Sequence, residues 1–258
     1  MYLKRKEVDK MDKIIKTDLG MREVAIQALF GSHNYNLNTP ESDHDYKYFV
    51  YPTLDDLYYN RMGKTSKVSE DMDYDVHDVR VLPHLFMKTN INFTEIMFST
   101  DIHCDSEFSF MLEEKEQLAS MNIPYFFNAC RGMCKNKQHH FHKYSEKNKF
   151  MEEKFGYNVK EASHAYRCLN VLERYAKNDF TDFGKAIWYD DDDPERTLIM
   201  NIKTGKLTEE EINQLIADTD ERLTAHSDVY FSHPVNQKVY EGFRDKIKDI
   251  VLAKFKMG

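Results

Sequence analysis

Asp43 and Asp45 stand one residue apart, and Asp43 follows the pair Gly31-Ser32 by eleven residues. Each half of this arrangement has its own chemistry. A Gly-Ser turn leaving a strand can gather backbone N–H groups and a hydroxyl into one concavity, a shape that suits phosphate oxygens. Residues i and i+2 of a strand point to the same face. Asp43 and Asp45, at the start of a strand, therefore present two carboxylates side by side. These repel unless a cation lies between them, and Mg²⁺, which prefers oxygen ligands, is the natural filler. A phosphate concavity beside a dicarboxylate metal site is the equipment of phosphoryl or nucleotidyl transfer. Either piece alone is common; the strand–turn–strand combination at this spacing is much more specific.

The flanking pattern supplies the strands. REVAIQALF (22–30) is a compact apolar run stopped by Gly31-Ser32, and HDYKYFVY (44–51) has the aromatic and β-branched character of a second strand. MDYDVH (72–77) alternates, with Asp73, Asp75 and His77 on one face and Met72, Tyr74 and Val76 on the other. Either Asp73 or Asp75 can thus join Asp43 and Asp45 as a third carboxylate. Asp75, nearer the C-terminal end of the strand, is the preferred one and Asp73 its substitute; the bland reading of either is a solvated edge charge. Asp78 reads as the cap of a helix running to about Thr89, with Pro83 in its first turn.

Elsewhere, Val8, Met11, Ile14 and Ile15 are spaced for an amphipathic helix over 5–18, and 53–71 reads as an exposed loop or flap. FTEIMFS (93–99) is ambiguous between a buried strand and a helix end. From 106 onward the periodicity is helical, over roughly 107–120, 124–144, 158–178, 208–226 and 235–256. The fold class is therefore α+β (α/β in the broad sense). A small mixed sheet over 1–105 would form the core, and a C-terminal helical bundle over 106–258 would complete the site.

Composition narrows the classes. With 41% hydrophobic and 31% charged residues, the 258-residue chain is an ordinary globular one, and nine glycines favour helix over turn-rich β-structure. No apolar run approaches the roughly 18 residues a bilayer needs. The first twenty residues lack the apolar stretch of a secretory signal. The expectation is a cytoplasmic protein with no membrane partner. The four cysteines, Cys104, Cys130, Cys134 and Cys168, include no CxxC pair and read as small buried hydrophobes. The net charge of −8, from 44 acids against 36 bases, argues against broad passive binding of nucleic acid. The acidic run Asp190–Asp193 reads as a solvated loop.

Two further sets stand out. Lys160, His164 and Arg167 fall on one helical stripe at i, i+4 and i+7, a candidate wall for a triphosphate or a base, with a solvated face as the plain alternative. Residues 131–149 carry Arg131, Lys135, Lys137, Lys143, Lys147 and Lys149 against the single acid Glu146, with Phe141 and Tyr144 interleaved. Such a track suits a nucleic-acid backbone, with Arg131, Lys135 and Lys143 as candidate acceptor contacts; its plain alternative is again a solvated helix.

The segment from Gly31 to Asp45 resembles the GS…SDxD signature of the DNA polymerase beta superfamily of nucleotidyltransferases. More narrowly, it is similar to a bacterial and phage branch reading approximately GS-x-x-Y-G-x-x-x-P-x-S-D-x-D. Gly31, Ser32, Tyr35, Pro40, Ser42, Asp43 and Asp45 match it, and Asn36 stands where glycine is usual. Asparagine is the best-tolerated substitute where φ is positive. The likeness continues through Asp78-Val79-Arg80, through Glu95 in a glutamate position, and through Lys154–Arg167 as a K-x-G-Y-x-x-K-x-A-x-H-x-x-R helix. It ends in TLIMNIKTGKLTEEEI (197–212) as a hairpin and helix, so it spans most of 20–225.

The resemblance implies a polymerase-beta-type core that transfers an NMP from an NTP, ATP being favoured, to a hydroxyl, with release of pyrophosphate. It implies two Mg²⁺ ions, or Mn²⁺, on Asp43, Asp45 and a third carboxylate. The nucleotide would lie on Gly31, Ser32 and Ser42 and against Lys160, His164 and Arg167. The basic track at 131–149 favours RNA, such as a tRNA end, as acceptor, and a protein hydroxyl comes next. The alternative from another class is a non-catalytic nucleotide-binding module of regulatory or antitoxin-like kind.

Overall fold

Gly20–Phe30, eleven residues rich in β-branched and small apolar types, form the longest strand, β2, of a computed structural model that describes residues 13–67, 73–143 and 149–256. β1 (Ile14–Thr17) runs antiparallel to it across a two-residue turn that sets Thr17 opposite Gly20. The helix expected over 5–18 is therefore overturned where the chain is described; its N-terminal part, 5–12, lies outside the described residues. Ile14 and Ile15 are β-branched, stiff in a helix and well suited to a pleated surface, and the edge of β2 offers them partners.

β3 (Asp45–Val50) lies antiparallel to β2 and parallel to β5 (Asp73–Asp78), with β4 (Lys64–Lys67) antiparallel to β5 at the far edge. β6 (Ile102–Cys104) pairs with Ile26–Ala28 of β2. The order is β1-β2-β3-β5-β4, and the sheet curls until its ends meet. The Asp18 N–H donates to Thr65 Oγ1 at 2.8 Å, and the Lys64 N–H donates to the Asp18 carboxylate at 3.1 Å. An irregularity in the β2–β3 register between Val24 and Ile26 switches faces: Val24 joins one cluster, whereas Ile26 and Ala28 join the other.

Thirteen helices follow among the described residues. α1 (Leu54–Tyr58), under a Thr53/Asp56 capping box, and β4 occupy the stretch read as a loop. Asp78 does cap, accepting from the Arg80 N–H at 2.9 Å, and α2 (Leu82–Met87) carries Pro83 in its first turn. FTEIMFS becomes the end of α3 (Ile91–Thr94) and a 3₁₀ turn. The helix expected over 107–120 is a 3₁₀ turn followed by α4 (Ser109–Glu113) and α5 (Lys115–Ala119), broken at Glu114. α6 (Ile123–Gln138) stops short of 144. α7 (Lys149–Phe155), α8 (Val159–Lys177) and α9 (Phe183–Ile187) come next. The 197–212 segment is a hairpin of helices, with α10 (Pro194–Lys203) turning at Gly205, φ +70°, into α11 (Glu209–Ala225). α12 (Ser227–Phe231) and α13 (Gln237–Ala253) close the chain.

The protein is thus a mixed α+β structure. α8 is the axis of the helical half, packed against α6, α9, α10 and α11. Its N-cap, Asn158, accepts from the N–H groups of Lys160 and Glu161. Cys130, Cys134 and Cys168 are buried in this half. α13 returns to the sheet, where Phe243, Ile247 and Val251 share a core with Ala25, Phe49 and Phe86. Among the described residues no helix is long and apolar enough to cross a membrane.

Candidate functional site

Gly31 ends β2 at φ +78° and ψ −158°, a conformation essentially reserved for glycine. A Cβ there would stand 2.8 Å from Asp45 Oδ2, so the turn and the carboxylate are built against each other. A 3₁₀ turn, Ser32–Tyr35, follows and closes on Asn36 at φ +62°, the left-handed position expected of this asparagine. The Asn36 amide donates to the Tyr189 carbonyl at 2.8 Å. The loop then folds on Ser42, whose Oγ accepts from the Thr39 N–H at 2.9 Å. The Ser42 carbonyl lies 3.0 Å from His33 Nε2, and the His33 ring stacks on His44 at 4.0 Å. Asp43 and Asp45 emerge from this turn.

Both aspartates line a cavity of about 770 Å³ between the sheet and the helical half. Gly31, Ser32 and Ser42 share that wall; Lys160 and His164 of α8 stand on the other, with Lys137 of α6, Lys154 of α7 and Lys203 of α10. Burial raises the Asp45 pKa, opposed by Lys160 and assisted by Asp73 and Asp43. His164 is pushed well below the ordinary imidazole value by burial and by Lys137, Arg167, Lys160 and Lys203, so it lines the cavity as a neutral ring. Lys203 is lowered to about 8 by burial and by Lys160.

The strand register separates the two candidate third carboxylates. Asp73 stands directly beside Asp45, whereas Asp75 stands beside Lys47, with Nζ and Oδ2 3.8 Å apart. Lys47 itself is buried, 3.1 Å over the Phe30 ring. The expectation that favoured Asp75 ranked the two acids by distance along one strand. The cross-strand neighbour, which decides the local charge, lies in another part of the sequence. Among the described residues no three His, Cys, Asp or Glu side chains converge as a ready metal cluster.

The stripe on α8 does not stay at the surface. Lys160 is exposed and His164 half-buried, but Arg167 is only 4% exposed. Its Nη2 donates to Glu95 Oε2 at 3.0 Å, and its guanidinium lies 3.4 Å over the Tyr35 ring. Arg167 is thus a buried tie beneath the loop rather than part of the large cavity's lining, because the helix dives into the core over those two turns. The acceptor candidates also lie off the cavity lining. Arg131 is paired with Asp220 of α11, its Nη2 donating at 2.8 Å, and Lys135 and Lys143 are exposed. Tyr144, Glu146 and Lys147 lie outside the described residues.

The acidic run is likewise put to structural use: Asp193 caps α10 and pairs with Arg174, and Asp191 accepts from the Asn36 amide at 3.1 Å. Sequence reasoning missed Lys137, Lys154 and Lys203 as parts of one wall. It also missed Lys47, although the period-2 argument already set it on the face of Asp43 and Asp45. No family model matches the chain, and no curated protein matches it.

Proposed function

We propose that the protein is a metal-dependent nucleotidyltransferase of the polymerase-beta type, transferring an NMP from an NTP to a hydroxyl acceptor. The observation that carries the reading is that a Gly31-Ser32 turn and two adjacent carboxylates face lysines from separate helices across one cavity. A carboxylate pair asks for a cation, and a wall of lysines asks for an anion; a metal-bound polyphosphate answers both.

The donor chemistry fits a hard divalent ion. Mg²⁺ is commonly held by one or two carboxylates together with substrate phosphates and water, so a finished three-residue cage is not required. Asp43 and Asp45 would hold Mg²⁺ or Mn²⁺, and the register supports Asp73 over Asp75 as third carboxylate. When bound, such ions activate a hydroxyl and steady leaving oxygens. The chain's own part is electrostatic and positional. Gly31 lets the backbone approach Asp45, and Lys154, Lys160 and Lys203 attract the phosphates. Neutral His164 sits among cations and gains a proton more readily once an anion enters.

The test is label transfer from each of the four α-³²P-NTPs with Mg²⁺ and a mixture of RNA and protein. The Asp43→Asn/Asp45→Asn variant is the control. Label lost in that variant supports the enzyme, and its destination, RNA or protein, names the acceptor class. NTP-dependent thermal stabilisation without transfer would favour a nucleotide-binding module, and neither effect would overturn the reading.

A further inference from the structure

The loop that carries Asp43 is held from outside the sheet, and two of its carbonyls are held by one helix. Lys203, the last residue of α10, sends its Nζ 2.6 Å from the Leu37 carbonyl and 3.4 Å from Ser42 Oγ. Seven residues earlier on the same helix, Arg196 Nε donates to the Asn36 carbonyl at 2.8 Å. Two consecutive carbonyls of the loop are therefore each taken by a cation of α10. The Ser42 hydroxyl that Lys203 reaches is the one that closes the Thr39–Ser42 turn, and Asp43 follows it directly. Lys203 is half-buried and also lines the cavity, so one ammonium touches both the loop and the space a ligand would occupy.

We propose that Lys203 is a positioning residue: by holding Leu37 and Ser42 it fixes the direction in which Asp43 leaves the loop, and so couples the helical half to the metal-binding carboxylates. This rests on the reading of Asp43 and Asp45 as metal ligands. A carboxylate's affinity for a cation depends on how far its orientation is fixed beforehand, and groups that orient ligands typically contribute about ten- to a hundredfold. A lysine that merely touched phosphate would act on NTP affinity, and its loss, by removing a positive charge near Asp45, would tighten rather than weaken binding of the metal alone.

Mn²⁺ alone is therefore the probe, titrated by the electron paramagnetic resonance of the free ion. The proteins are wild type, Lys203→Met, Lys203→Arg and Asp45→Asn, with hydrogen exchange over 37–43 measured in parallel. Lys203→Met is expected to weaken Mn²⁺ binding by about tenfold or more and to speed exchange in the loop. Lys203→Arg, which keeps a charged donor, restores most of the affinity. In label transfer the Met variant loses kcat in addition to any rise in KM for NTP, since Lys203 also lines the cavity. Unchanged Mn²⁺ affinity in Lys203→Met, alongside loss in Asp45→Asn, would overturn the inference and leave the enzyme reading intact. Equal losses in the Met and Arg variants would also overturn it, since a donor at that position would not be what matters. No Mn²⁺ binding by wild type would overturn the metal reading and this inference with it.

Discussion

At the scale of single residues, Gly31 and His77 make opposite demands. Gly31 is fixed by what it lacks. With φ at +78° and Asp45 Oδ2 2.8 Å from any Cβ, Gly31→Ala must strain the turn and displace the carboxylate. Backbone strain of this kind costs roughly 1–3 kcal/mol, which urea unfolding would read, and transfer should fall with it. His77 is fixed by what surrounds it. Its ring stacks on Phe49 at 5.7 Å and meets Phe93 edge-on at 5.1 Å, and its Nε2 is buried without a hydrogen-bond partner. Burial, with Lys47 nearby, lowers its pKa to about 4. The unfolded chain, with an imidazole near pH 6.5, therefore binds more protons than the folded one in the window between 6.5 and 4. Stability is lost as pH falls through that window, by up to about 3 kcal/mol from this group alone. His77→Phe keeps the ring packing and removes the titration, so its stability should fall less steeply between pH 6.5 and 4. Parallel urea-derived curves for the two proteins would refute the assignment.

At the scale of elements, the buried Arg167–Glu95 pair joins α8 to the 3₁₀ turn after α3 and supports the loop from below through Tyr35. Both side chains are almost wholly inside, so removing one leaves a charge without its partner. Arg167→Met should cost about 3–5 kcal/mol, whereas Arg167→Met combined with Glu95→Met should recover much of it. Additive losses in the double variant, measured by urea unfolding, would show that the two are not coupled. The same elements show what the sequence makes legible. The strands at 22–30, 44–51 and 72–77 could be read because each alternates or runs apolar within its own few residues, and α8 and α11 because their helical periodicity runs over 158–178 and 208–226. β1 could not be read, since Ile14 and Ile15 fit a helix stripe as well as a strand; only the edge of β2 decides. The dicarboxylate was visible for the same local reason. Which of Asp73 and Asp75 stands beside Asp45, and which lysines join Lys160 on the facing wall, were hidden, because they depend on the β3–β5 register and on four helices spread between 137 and 203.

At the scale of the molecule, the chain's division into a sheet half and a helical half is crossed by its own last helix. Phe243 of α13 stacks on Phe86 at 5.4 Å and lies 5.8 Å from Phe110, inside the core that also holds Ala25, Phe49 and Phe108. The sheet thus completes its core with residues from the far end of the sequence, while α10 and Arg167 tie the other side of the site to α8. Two halves joined at both ends share their stability, and a loss in one is felt in the other. The sole tryptophan, Trp188, follows α9 in the helical half and is not among the residues of the core that Phe243 joins. Phe243→Ala opens a cavity in the sheet core and should cost about 3–5 kcal/mol. The midpoint followed by Trp188 fluorescence should fall together with the midpoint followed by circular dichroism. A Trp188 transition that stays in place while the circular dichroism signal splits would mean that the halves unfold separately. The site between them would then have to be assembled by its ligand.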